Sequence, residues 1–164
     1  MPGRLLLGLA MAALWTTAPH AETPAVAGWL EHVAFPDQDL VMVAKLDTGA
    51  DSSSLNVTGL ERFKRQGKTW YRFTLHGEGG KTATVEQESD RIARIMRAEV
   101  EDTRRPIVRL KICLAGHVAE TDFTLTDRSD RRAAVLIGRR FLAERVLVDS
   151  GRKHLFPKPC EAGK

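Results

Sequence analysis

Apolar positions in this chain come in short runs interrupted by turn-forming residues. The runs predict strands over residues 28–34, 40–46, 69–76, 82–87, about 91–100, 107–114, 118–125, 135–137 and 146–148. Pro36-Asp37, Gly77-Glu78-Gly79-Gly80 and Ala115-Gly116-His117 punctuate them, each supplying residues that favour a reversal of the chain. Many short strands at this spacing predict an all-β protein, a small closed β-barrel. One stretch, residues 85–103, reads both ways: Ile92, Ile95, Met96 and Val100 fit a helix about as well as a strand.

The chemistry starts where one strand ends. The apolar run 40–46 leads into Asp47-Thr48-Gly49-Ala50, then Asp51 and the serine run Ser52-Ser53-Ser54. A strand closing in this way holds a carboxylate on a tight turn. Two such carboxylates brought together share one proton, so that one acts as base toward a water and the other as acid toward a carbonyl. Like charges that close cannot both ionise, and the two titrations split. Ala50 offers no side-chain donor to the carboxylate, which predicts a higher pKa than a Ser or Thr there would give. Far downstream, Leu136-Ile137-Gly138 followed by Arg139-Arg140-Phe141-Leu142 reads as a strand, a close-packing glycine and a short turn of helix.

Other chemistries lack their signatures. Gly80-Lys81-Thr82 and Gly67-Lys68-Thr69 have Leu75 and Arg62 where a phosphate-cradling loop carries its first glycine, so neither predicts ATP binding. The histidines (His20, His32, His76, His117, His154) show no pair at ligand spacing, and no zinc or other metal is expected. A net charge of +4 is spread over basic pairs such as Lys64-Arg65, Arg131-Arg132 and Arg139-Arg140, interspersed with acids and with few aromatics. That pattern predicts solvated surface rather than a nucleic-acid partner, with a residual preference for acidic substrates.

At the N-terminus, Arg4 precedes an apolar core running from Leu5 to Trp15, which fits a signal peptide of residues 1–21 cleaved after Ala21. An uncleaved membrane anchor is the alternative. Either implies export to the periplasm or beyond. Export would place Cys113 and Cys160 in an oxidising compartment, where they could pair; a buried free thiol at Cys113 is an equally good reading. The remaining chain divides into a short segment 22–27, one domain over 28–156 and a loosely ordered tail 157–164. Asn56-Val57-Thr58 has the form of a glycosylation acceptor and is taken as coincidence beside the Asp47 turn.

The combination of Asp47-Thr48-Gly49-Ala50-Asp51 with Leu136-Ile137-Gly138-Arg139-Arg140-Phe141-Leu142 resembles the retropepsins, retroviral-type aspartic peptidases. Arg105-Pro106-Ile107-Val108, Thr124-Leu125-Thr126-Asp127-Arg128 and Leu147-Val148-Asp149 extend the likeness to a bacterial retropepsin-like family often labelled putative ATP-dependent zinc protease. The resemblance implies a retropepsin-like barrel with one short helix after Gly138, and Asp47 as the catalytic residue on a turn shaped by Thr48, Gly49 and Ala50. It implies a brace in which a buried Asp51 pairs with Arg139 beside Gly138. It also implies a flap hairpin, with its tip near Glu101-Asp102-Thr103, and for some relatives glutamate-rich peptide substrates. Asp149-Ser150-Gly151 repeats the Asp-x-Gly form seen in two-lobed relatives, but too little chain follows to build a second lobe. With one catalytic Asp per chain, the dyad requires a homodimer about a two-fold axis. The resulting expectation is an exported, cofactor-independent aspartic endopeptidase acting on peptides or proteins. The alternative is a barrel of the same fold that binds peptide or cell envelope without turnover.

Overall fold

The computed structural model describes residues 23–97 and 100–160. Its strands are β1 (Ala25–Phe35), β2 (Leu40–Leu46), β3 (Ser53–Asn56), β4 (Thr58–Arg65), β5 (Lys68–His76), β6 (Thr82–Glu88), β7 (Ile92–Arg97), β8 (Val100–Leu114), β9 (His117–Thr126), β10 (Val135–Ile137) and β11 (Val146–Lys153), with one α-helix, α1 (Arg139–Leu142).

Six strands close a barrel. Following the hydrogen bonds, the order is β1-β2-β10-β3-β9-β8, and β8 returns to β1 through Ala34 and Cys113. β2 runs parallel to β10, and β3 parallel to β9. Alternation along each strand sends one set of side chains inward. Val33, Phe35, Met42, Leu55, Ile112, Phe123 and Ile137 meet there as an apolar core, with Phe35 and Phe123 in tilted ring contact at 5.9 Å. β11 adds to the barrel's edge, parallel to β1. A separate three-stranded sheet, β4-β5-β6, buries Tyr71, Phe73, Leu75 and Val85 in the same core.

The ambiguous stretch resolves into strands. β7 and β8 form an antiparallel hairpin in which Ile95 pairs with Thr103 and Arg97 with Val100. Glu101-Asp102-Thr103 therefore belong to β8 rather than to a hairpin tip, and residues 98–99 lie outside the described residues. Pro106 is accommodated within β8 opposite Ile92, next to the hairpin's base.

Both ends of the domain reach further than the sequence predicts. β1 begins at Ala25, paired with Val146, so part of segment 22–27 is barrel strand. At the other end, Glu31 is completely buried and its carboxylate accepts the amides of Gly28 at 2.6 Å, Leu155 at 2.9 Å and Phe156 at 3.1 Å. The tail then docks: the buried Pro159 carbonyl accepts the Gly116 amide at 2.9 Å and the Cys113 thiol at 3.1 Å. Cys113 and Cys160 are free thiols here. Burial, then the hydrogen bond with neighbouring Cys160, pushes the Cys113 thiol up to about 12.

Candidate active site

β2 is apolar except for Lys45, and it lies between β1 and β10 in the barrel wall. The parallel ladder with β10 continues past the strand end, where the Asp47 amide donates to the Ile137 carbonyl at 2.9 Å. The chain then turns: the Ala50 amide donates to the Asp47 carbonyl at 3.2 Å, and the Gly49 amide to Asp47 Oδ1 at 3.0 Å. A side chain at position 49 would place its Cβ 3.3 Å from that same oxygen. Asp47 Oδ2 faces outward and accepts the Lys45 ammonium at 2.9 Å. That hydrogen bond, ahead of the Gly49 and Ala50 amides, holds the Asp47 carboxyl below its ordinary value, although partial burial opposes it.

The turn is tied to α1 through backbone. Amides of Arg139 and Arg140 donate to the carbonyls of Ala50 and Asp51 at 2.8 and 3.2 Å, and the Gly138 amide donates to Ser53 Oγ at 3.2 Å. Gly138 is required by proximity, because a Cβ there would lie 2.5 Å from the Ser52 carbonyl oxygen. The expected side-chain brace takes a different form. Asp51 is 56% exposed rather than buried, its close partner is Arg140 at 2.7 Å, and Arg139 stands 3.9 Å away. Arg139 instead reaches the Thr48 carbonyl at 3.4 Å. The buried members of β3 are Ser53, Ser54 and Leu55, whereas Asp51 precedes the strand and stays at the surface.

Asp47 lines a cleft of about 550 Å³ together with Lys45, Arg105, Arg128, Arg131 and Arg132, and Trp29 forms part of its wall. Arg132 and Lys153 both lie over the Trp29 ring, at 5.6 and 5.2 Å. Arg128 is partly buried and fixed by Ser54 Oγ at 2.8 Å and the Ala133 carbonyl at 3.3 Å. Burial pulls its guanidinium below its ordinary value, with the negative charge of Asp47 among the opposing influences. Arg105 enters from the base of the β7–β8 hairpin. Basic residues that look scattered along the sequence thus converge on one cleft. Only Lys45, two positions before Asp47 on an alternating strand, carries a local signal of this.

Asp149 is elsewhere. It sits in β11 opposite Gly28, bonded to the Gly151 amide at 2.8 Å and to Arg152 at 2.6 Å, and it does not line the cleft. The histidines are less scattered than their spacing suggests, since the rings of His32 and His154 lie in tilted contact at 4.7 Å and His32 meets Glu78 at 3.2 Å. Among the described residues no group of three or more His, Cys, Asp or Glu side chains is placed to hold a metal ion.

The family model for the RimB-like proteins, described as retropepsin-like aspartic endopeptidase RimB, matches residues 26–159. The chain belongs to this family. The matched span runs from β1 to the docked Pro159 and includes every cleft residue named above. Among solved structures, a Legionella pneumophila protein of unknown function superposes with a TM-score of 0.68 at 30% identity, covering 80% of this chain and 97% of that one. Curated relatives carry a different name. Probable alpha-L-glutamate ligases of Shewanella halifaxensis and Desulfotalea psychrophila are 32% and 25% identical over 128 residues, 76% of this chain. The chain spans 28% of the length of those ligases.

Proposed function

We propose that this RimB-like protein is an exported aspartic endopeptidase whose dyad forms from the Asp47 residues of two identical chains. The observation that carries the reading is the Asp47 turn: a carboxylate at a strand end that lines a cleft, with one oxygen held by the Gly49 amide and the other by the Lys45 ammonium. Across a two-fold axis the two carboxylates share a proton. The ionised member takes a proton from water as it attacks the scissile carbonyl, and the protonated member donates to the carbonyl oxygen. Thr48 and Gly49 shape each turn, and the backbone ties through Gly138 fix it against α1. The β7–β8 hairpin, from whose base Arg105 reaches the cleft, is suited to cover bound peptide and exclude water. No step draws on zinc, ATP or another cofactor.

The cleft's charge favours an acidic peptide. Four arginines and Lys45 surround a limited amount of negative charge from Asp47 and Asp127. Planar guanidinium groups recognise carboxylates in two-point contacts, so glutamate- or aspartate-rich segments are the preferred substrates.

A second reading, a barrel that binds acidic peptide without turnover, draws on the curated relatives. There the matching segment is a fraction of a longer chain named for ligation rather than hydrolysis. Hydrolysis of a mixed peptide library by residues 22–164, run as wild type, Asp47→Asn and Asp149→Asn with and without EDTA, separates the two. The endopeptidase reading requires cleavage that is lost in Asp47→Asn alone and is indifferent to EDTA. Loss on chelation overturns the dyad mechanism, and binding without cleavage by any form supports the second reading.

A further inference from the structure

Lys45 is the single charged residue of β2, and strand alternation puts it on the same side as Asp47. Its ammonium lies 2.9 Å from Asp47 Oδ2 while the Gly49 amide holds Oδ1, so both carboxylate oxygens are engaged. Both partners open onto the cleft, with 47% and 24% of their side-chain surfaces exposed. The other charges facing this carboxylate come from three further elements. Arg105 belongs to β8, and Asp127, Arg128, Arg131 and Arg132 follow β9. Arg139 of α1 points at the Thr48 carbonyl. Arg128 is committed to Ser54 and Ala133, whereas Lys45 contacts Asp47 directly.

A proton-sharing dyad needs one of its two carboxyls neutral, and an ammonium at hydrogen-bond distance favours the charged form of each. We propose that Lys45 is a positioning residue for Asp47: it fixes the outer oxygen in place and sets the pH window in which the dyad holds its single proton. The catalytic part of this inference rests on the endopeptidase reading. The effect on Asp47 ionisation does not. With Lys45 present, the singly protonated dyad is centred at a lower pH than two bare carboxylates would give. Removing the ammonium moves that window upward.

The test compares full-length wild type with Lys45→Met and Lys45→Arg by two readouts. In a carboxyl-carbon NMR titration, with the Asp47 signal assigned through Asp47→Asn, Lys45→Met raises the Asp47 midpoint by about 1 to 2 pH units. Lys45→Arg, which keeps the charge, stays near wild type. In kinetics on a glutamate-rich peptide, both limbs of the kcat profile move to higher pH in Lys45→Met. An Asp47 midpoint unchanged in Lys45→Met overturns the inference. So does an unmoved kcat profile with raised KM, which would make Lys45 a substrate contact instead. A wild type that hydrolyses nothing contradicts the endopeptidase reading, and the NMR titration still decides the role of Lys45.

Discussion

Gly138 lies against the backbone of Ser52 so closely that a Cβ would stand 2.5 Å from its carbonyl oxygen and 2.9 Å from that of Asp51. This approach lets the start of α1 donate to the carbonyls of the Asp47 turn. The clashing atoms are backbone and cannot swing away. Gly138→Ala is therefore expected to cost about 1 to 3 kcal/mol of stability through local overpacking. Urea denaturation of the purified chain measures this. A variant as stable as wild type would show that the turn and the helix are free to separate.

Glu31 anchors the C-terminal segment from inside the fold. Its two oxygens accept three backbone amides, two of them from Leu155 and Phe156. A Gln side chain has one acceptor oxygen, and its amide nitrogen would face a donor. Glu31→Gln is expected to destabilise by about 2 kcal/mol, the scale for hydrogen bonds to a charged group. Residues 154–160 should also become the first site of protease cleavage. Unchanged hydrogen exchange at the Leu155 and Phe156 amides would contradict this role.

Cys113 and Cys160 share the Pro159 carbonyl region, one thiol buried and the other exposed. A small-molecule disulfide such as oxidised glutathione is expected to react at Cys160, after which the Cys113 thiolate displaces glutathione and closes the bridge. The elevated pKa of Cys113 makes the second step slow at neutral pH. Chain entropy predicts up to about 4 kcal/mol of added stability. Thiol counting under denaturing conditions, before and after oxidation, checks it: both thiols should disappear together, and a persistent mixed disulfide at Cys160 would show that the pair cannot close.

Asp122 joins the base of the β7–β8 hairpin to β9. It accepts Arg91 at 2.6 Å and Arg109 at 2.9 Å, and these partners, Arg91 first, hold its carboxyl well below the usual carboxylate range. A depressed folded-state pKa gives stability that is fully present above the unfolded value near 4 and is lost as pH falls through the folded one. Because both arginines are about half exposed, solvent screening keeps the expected contribution to about 1 kcal/mol. Asp122→Asn should be less stable than wild type by that amount at pH 7, with the gap closing on acidification below pH 4 and shrinking in high salt. A gap that is constant with pH would assign the effect to packing.

How far the sequence carries depends on whether neighbouring residues or distant ones decide. β2 and β10 read directly, because an apolar run bounded by Asp47 or Gly138 has one plausible conformation. β3 is not predicted, since Ser53-Ser54-Leu55-Asn56 carries no apolar alternation. It is a strand because β9 and β10 pair with it on either side and Ser53 Oγ finds the Gly138 amide. β4 is not predicted because nearly all of it is exposed and half of its residues are charged. Its order comes from pairing with β5 and from contacts such as Arg72 with Glu61. The Asp47 turn was legible from its motif, but the basic cleft was not. Arg105, Arg128, Arg131 and Arg132 meet only after the barrel closes, and along the sequence each looks like solvated surface charge.

The dyad between chains is tested most directly by adding Asp47→Asn protein in increasing excess to a fixed amount of wild type and following hydrolysis of a glutamate-rich peptide. A site built from two copies of Asp47 predicts that the inactive chain poisons the active one. Activity should fall toward zero as mixed dimers replace wild-type dimers, and in wild type alone it should rise more steeply than linearly with protein at low concentration. Activity that stays constant under excess Asp47→Asn and scales linearly with wild type would place the whole site in one chain and contradict the account.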